Sequence, residues 1–137
     1  MCAISGIIGL DYNKTVTDEM LETMRRRGPD GQGILQTDHC CLLHSRLAVI
    51  DPDGGTQPMT LEFANEEFTI VYNGELYNTD ELRNALRKLK HNFCGHSDTE
   101  VVLHAYAQWG EECLQLFNGI FAFAVWAEKE KILWLST

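Results

Sequence analysis

Apolar and polar positions along this chain fall into short blocks that read as strands and helices joined by tight turns. Ile4, Ile7, Ile8 and Leu10, spaced by Gly6 and Gly9, predict a buried strand at the start. After a polar turn at residues 11–14, Thr15 and Asp18 take capping-box spacing, and Val16, Met20, Leu21 and Met24 follow at helical intervals. Gly28 suits the end of that helix and Pro29 cannot continue it, which puts Arg25, Arg26 and Arg27 in its last turn, where positive charge suits the helix dipole. Residues 33–37 and 39–50 predict two strands, 52–59 a loop, and 68–72 a strand that stops at Asn73-Gly74. Asn78 or Thr79 opens a helix with Leu82, Leu86 and Leu89 on one face; Arg83, Arg87, Lys88 and Lys90 on the other read as a solvated surface. Ser97 and Glu100 form a capping box for a helix to about Gln108, buried through Val101, Val102, Ala105 and Tyr106. A short helix at 111–116 precedes a hairpin of residues 119–127 and 131–135, turning at Glu128-Lys129-Glu130.

Strands joined to neighbours by short turns, with three helices set among them, favour an α+β layered domain over a doubly wound one. The last strand ends with the chain, so the expectation is one domain, 1–137, cut from a longer polypeptide inside a sheet. Composition narrows the partners. Twenty acidic against eleven basic residues give a formal charge of −9, which argues against nucleic acid or an anionic membrane surface. No apolar run reaches the ~18 residues of a membrane span, and no signal peptide precedes Cys2. Five cysteines without framework spacing read as reduced thiols of a cytoplasmic protein.

Cys2 changes the picture. Once Met1 is removed, thiol and α-amine share one residue, and both titrate within about two units of neutrality. The amine can then take the thiol proton directly or through one water. With Met1 retained the amine is an amide and that base is lost. A rigid strand directly after Cys2 would hold the nucleophile in place. Asn73 and Gly74 offer a side-chain amide and a backbone N–H that together could receive an oxyanion; the competing reading, a hairpin turn, weakens because a capped helix follows instead of a returning strand. Arg46, inside an apolar strand, must be paired, with Asp51 or with a substrate carboxylate. Asp98 caps a helix or binds an ammonium. An arginine for a carboxylate and an acid for an ammonium would describe a site for an α-amino acid.

Seven segments, Met1–Gly6, Arg26–Gly31, Ser45–Asp51, Gln57–Met59, Tyr72–Asn78, Gly95–Glu100 and Gly119–Ala124, occur in the order and nearly the whole span of the class II, N-terminal-nucleophile glutamine amidotransferase domain. The chain most resembles the glutaminase domain of glutamine-hydrolysing asparagine synthetase. That resemblance implies a four-layer α-β-β-α sandwich of two antiparallel sheets. It implies Cys2 as nucleophile, Asn73 and Gly74 as oxyanion hole, Arg46 on the glutamine α-carboxylate, Leu47, Val49 and Ile50 lining the pocket, and Glu75 and Asp98 at the α-amino end. The implied reaction takes L-glutamine to glutamate and ammonia through a thioester, and passes the ammonia to an ATP- and Mg-using synthetase domain of the same chain that makes asparagine from aspartate. No cofactor is implied in this domain, and a homodimer is an open possibility. Other readings are ammonia supply to an amino sugar or purine precursor, a non-catalytic binding domain of the same fold, and a metal or redox module using His39, Cys40, Cys41 and His44, with Cys94 and His96. The last is disfavoured by adjacent cysteines that a strand would point to opposite faces.

Overall fold

The computed structural model describes residues 2–9, 12–48 and 55–137. Its elements run β1 (Ala3–Ile8), α1 (Lys14–Met24), β2 (Gly31–Gln36), β3 (Cys40–Arg46), β4 (Met59–Phe63), β5 (Glu66–Leu76), α2 (Thr79–Lys88), α3 (Asp98–Trp109), a 3-10 helix (Gly110–Leu116), β6 (Gly119–Ala127) and β7 (Ile132–Ser136). Three strands make one antiparallel sheet in the order β1-β3-β2, and four make a second in the order β4-β5-β6-β7.

The period-2 alternation of the central strands builds the layers. On β3, Cys41 and Leu43 face α1 and pack with Ala3 and Met24, while Cys40 and Leu42 face the other sheet and meet Val71, Ala124 and Trp126. On β5 and β6, Ile70, Tyr72, Phe123 and Val125 turn the opposite way and pack under Leu82, Leu86, Val101, Val102 and Leu103 of α2 and α3. The order is therefore α1, sheet, sheet, α2 with α3, the expected α-β-β-α sandwich. Trp126 and Phe123, 2% and 1% exposed, stand on opposite faces of β6, so one strand seals two cores. Burying an aromatic of this size contributes about 2–3 kcal/mol.

Several local expectations change. The first helix is capped by Asn13, whose side chain accepts from Val16 N at 3.0 Å, not by Thr15, which already lies inside the helix. The helix ends at Met24, so Arg25–Arg27 form the turn beyond it. Met59–Phe63 is a strand, with Met59, Leu61 and Phe63 alternating inward, joined to β5 through Ala64 and Asn65 at φ 52° and 62°. Strand β5 does not stop at Asn73: it runs on to Leu76, pairing Asn73 with Ala122 and Gly74 with Phe121. Leu89 is 48% exposed and lies off the buried face of α2, whereas Arg83, expected in solvent, is 6% exposed.

Candidate active site

The two sheets open on a cavity of about 340 Å³ lined by Cys2, Arg46, Leu47, Tyr72, Asn73, Gly74, Glu75, Tyr77, Asp98 and Ile120, with Gly55, Gln57, Ser97 and Thr99 completing the wall. Small-molecule sites start at about 300 Å³. Of the residues singled out from sequence, Cys2, Arg46, Leu47, Asn73, Gly74, Glu75 and Asp98 all reach this one cavity. Val49 and Ile50, and Asp51 as the alternative partner of Arg46, lie outside the described residues.

Cys2 stands at the head of β1. Ala3 pairs with Ser45, which sets Cys2 beside Arg46 at the end of β3. Its thiol is half-buried and meets the Leu47 backbone on both sides: Leu47 N–H donates to Sγ at 3.4 Å, and Sγ–H donates to Leu47 O at 3.7 Å. The other cysteines differ. Cys40 and Cys113 are fully buried, and burial pushes their thiols up to about 11 and about 12; Cys41 is raised for the same reason. Burial that disfavours the thiolate makes Cys40, Cys41 and Cys113 poor nucleophiles; Cys2 lines the cavity, and the exposed Cys94 lies outside its wall. Cys40 and Cys41 do point to opposite faces, into different cores.

The Arg-Gly-Pro-Asp turn braces this wall. Ser45 Oγ donates to Gly28 O at 3.0 Å, Asp30 N donates to Arg46 O at 2.9 Å, and Asp30 Oδ2 accepts from Ala48 N at 2.8 Å. A Cβ at Gly28 would overlap the Ser45 backbone, so only glycine lets the turn press onto β3.

The opposite wall is β5 and the start of α3. Here strand parity matters. Tyr72 N–H donates to the Gln57 side chain at 2.6 Å, and Leu76 N–H donates to Asp98 Oδ2 at 3.2 Å. Both point away from β6, toward the edge where β4, which begins only at Met59, has no residue opposite. Backbone N–H groups two residues apart share a side, so Gly74 directs its N–H to that same edge between them. The glycine itself answers to the other side: a Cβ at Gly74 would overlap Ile120 O and Phe121 Cα of β6. The close crossing of two strands there is by itself enough to require a glycine.

Asp98 is 9% exposed and held by three donors: Tyr72 Oη–H at 3.0 Å and Leu76 N–H to Oδ2, and Thr99 N–H to Oδ1 at 2.9 Å. The Tyr72 hydroxyl is shifted strongly upward, chiefly by burial and then by the neighbouring carboxylate, so it stays a donor. Gln57 ties the wall together: its Oε1 accepts from Tyr72 N and its Nε2 donates to Thr99 Oγ1 at 3.1 Å. Tyr72, Gln57, Thr99, Tyr77 and Ile120 were not singled out from sequence as site residues. Gln57-Pro58-Met59 was a visible motif, but a tyrosine in an apolar run carries no signal beyond packing.

Beneath both walls, His44 of β3 is 1% exposed. Its Nε2 has no hydrogen-bond partner among the described residues. Burial above all, with Arg46 nearby, lowers its pKa to about 4, so it is neutral and adds no charge beneath the cavity.

Residues 1–136 match the model of the glutamine amidotransferase domain family. The chain is 47% identical over 137 residues to glutamine-hydrolysing asparagine synthetase 3 of Bacillus subtilis, covering 97% of this chain and 22% of that protein. It is 37% identical over 135 residues to asparagine synthetase 2 of Oryza sativa, again 22% of that protein. It therefore spans about a fifth of the length of these relatives. The fold is shared with glutamine phosphoribosylpyrophosphate amidotransferase from Bacillus subtilis, at a TM-score of 0.76 and 21% identity over 93% of this chain and 35% of that one. A second solved structure, of an allosteric regulatory enzyme of purine biosynthesis, gives 0.77 and 23%, over 93% of this chain and 36% of that one. Among the described residues no helix is long and apolar enough to cross a membrane. Family model, relatives matched along nearly the whole of this chain, and layered fold agree: the chain belongs to the glutamine amidotransferase domain family.

Proposed function

We propose that this chain is a glutaminase domain that hydrolyses L-glutamine to glutamate and ammonia through a Cys2 thioester. The observation that carries the reading is one cavity containing a half-buried thiol, a guanidinium, a carboxylate held by three donors and a strand edge of outward N–H groups. An α-amino acid with a side-chain carboxamide matches that set. Arg46 would take the α-carboxylate, bidentate. Asp98 and Glu75 would take the α-ammonium, with Leu47 along the side. The carboxamide would then lie over Cys2.

The chemistry follows from these positions. The Cys2 α-amine, exposed once Met1 is removed, takes the thiol proton. The thiolate attacks the carboxamide carbon, and the developing oxyanion receives hydrogen bonds from the Asn73 side chain and Gly74 N–H. The carbon–nitrogen bond breaks and ammonia leaves carrying the proton. Water then adds to the thioester, passes through a second oxyanion in the same hole, and releases glutamate and the free thiol. An oxyanion donor of this kind is worth about 2.7–4 kcal/mol.

Identity to glutamine-hydrolysing asparagine synthetases along nearly all of this chain, about a fifth of their length, supports asparagine synthesis from aspartate as the use of the ammonia. On this reading residues 1–137 are the amidotransferase domain. The partner is a synthetase domain of the same chain, which would use ATP and Mg; no residue of the cavity is assigned to either.

The test is mass spectrometry with a glutamine-analogue diazoketone. One adduct is expected on Cys2 of protein lacking Met1, with Cys40, Cys41 and Cys113 unmodified. Cys2→Ala should lose both adduct and ammonia release, by at least ~10³-fold. Ammonia release at the normal rate from Cys2→Ala, or from protein retaining Met1, overturns the mechanism.

A further inference from the structure

Arg83 is a buried guanidinium on a helix that does not line the cavity. It is 6% exposed, projects from α2 toward the loop before α3, and stacks on the Phe93 ring with Cζ 4.5 Å from the ring centroid. Nη1 donates to Gly95 O at 2.9 Å and Nη2 to Ser97 O at 3.1 Å. Glu100, its ion-pair partner at 4.0 Å, reads the other polarity of the same loop: Oε1 accepts from Cys94 N at 2.6 Å and Oε2 from Gly95 N at 2.9 Å. The side chain expected to close a capping box with Ser97 is thus turned to the loop. Ser97 Oγ still accepts from Glu100 N at 3.3 Å. Carbonyls and amides of residues 94–97 are gripped from two helices, and the loop ends at Asp98 in the cavity wall.

We propose that Arg83 is a positioning residue for substrate ammonium: by fixing the Gly95 and Ser97 carbonyls, it sets where the Asp98 carboxylate stands and so sets affinity for the α-amino group. This rests on the reading of Asp98 as the ammonium partner. A packing role alone does not require a planar fork on two carbonyls that flank one wall segment. Lysine cannot make both bonds, because its point charge has no fork. Among the described residues the Asp98 carboxylate is otherwise anchored by Tyr72, Leu76 and its own neighbour Thr99, so freeing the loop would let the carboxylate shift relative to Arg46 on the far wall.

The test uses the full-length protein with Met1 removed. Arg83→Met, Arg83→Lys and Asp98→Asn are each assayed for hydrolysis of glutamine and of glutaramate, the same carboxamide acid without its α-amino group. Arg83→Met should raise the glutamine KM ~10-fold or more and leave kcat within ~3-fold. Its kcat/KM on glutaramate should change by less than ~2-fold. Arg83→Lys should fall between, and serves alone if the methionine variant does not fold. The double variant with Asp98→Asn should be no worse than Asp98→Asn, since both act on one contact. Equal losses on glutamine and glutaramate, or a fall in kcat with KM unchanged, overturn the proposal. If Asp98→Asn itself leaves the glutamine KM unchanged, the reading of Asp98 fails, and the role of Arg83 fails with it. If Asp98→Asn raises KM and neither Arg83 variant does, only the role of Arg83 is lost.

Discussion

The two walls of the cavity are built differently. The wall from the three-stranded sheet holds Cys2 through backbone of one neighbour, Leu47, at sulfur distances of 3.4 and 3.7 Å. The wall from the four-stranded sheet is a closed polar network. Gln57, Tyr72, Leu76, Asp98 and Thr99 bond one another at 2.6–3.2 Å, nearly all of them buried. The difference teaches where each wall spends its order. In the proposed mechanism Cys2 must attack, carry an acyl group and release it, and that needs room around sulfur. Groups that only receive charge work best when already fixed, because reorganising them during the reaction costs energy.

The sharpest way to break this contrast is at the rigid wall. Asn73 faces the gap between the sheets, on the same side of β5 as Val71, and its backbone pairs with Ala122. Asn73→Ala leaves that pairing intact and removes only the side-chain donor. We expect kcat for ammonia release to fall ~10²–10³-fold with little change in glutamine KM and unchanged diazoketone capture of the Cys2 thiol at saturation. A KM effect of the same size as the kcat effect would mean that Asn73 grips the ground state, and the division between the walls would be wrong.

Acid separates the walls by a second route. His44 lies under both, and His104 lies behind the rigid one, where its Nδ1 meets His91 Nδ1 at 2.8 Å. Gln108 Oε1 accepts from His91 Nε2 at 2.8 Å, which places the two rings in one hydrogen-bonded chain. Desolvation lowers His44 and His104 to about 4 from an unperturbed 6.5. The folded-state value is depressed, so below pH 6.5 the unfolded chain binds protons that the folded chain refuses. Stability is complete above pH 6.5 and falls as pH drops toward 4, by about 3 kcal/mol for each histidine, then levels for these two groups. Denaturant midpoints across that window should decline, and imidazole NMR should find both rings neutral at pH 5. A ring titrating near 6.5 would sink the assignment for that histidine.

Much of this arrangement could be read from residue order, and the exceptions share a cause. Cys2, Arg46, Asn73, Gly74, Glu75 and Asp98 stand at strand ends or in a short motif, where a polar residue in an apolar setting is conspicuous, and all share the cavity. The helix caps were half legible: Ser97 caps α3, but Asn13 displaced Thr15 and Glu100 turned away to the loop. Tyr72 and Arg83 were hidden for opposite reasons. Tyr72 looks like core because its ring is core, and only its hydroxyl belongs to the site. Arg83 looks like surface because it shares α2 with Arg87 and Lys88, and nothing in a helical repeat says that a loop 12 residues later will cover it. Strand β5 was cut short at Asn-Gly because those residue types signal turns. Long-range pairing with β6 overrides that local preference.

The gentlest test of the rigid wall is Tyr72→Phe. The ring keeps its packing against Phe123, and only the 3.0 Å bond to Asp98 is lost. Hydrogen bonds to a charged group contribute about 1.5–3 kcal/mol. Leu76 N–H and Thr99 N–H remain on the carboxylate, which keeps the loss at the low end, about 1.5 kcal/mol of stability. If this wall works by being fixed in advance, that small loss should appear in function as a glutamine KM raised ~5- to 10-fold with kcat nearly unchanged. Glutaramate, which has no ammonium to bind, should be hydrolysed as before. Should Tyr72→Phe lose stability and leave the glutamine KM alone, the hydroxyl only packs the wall, and prior fixing of Asp98 is not what gives this side of the cavity its affinity.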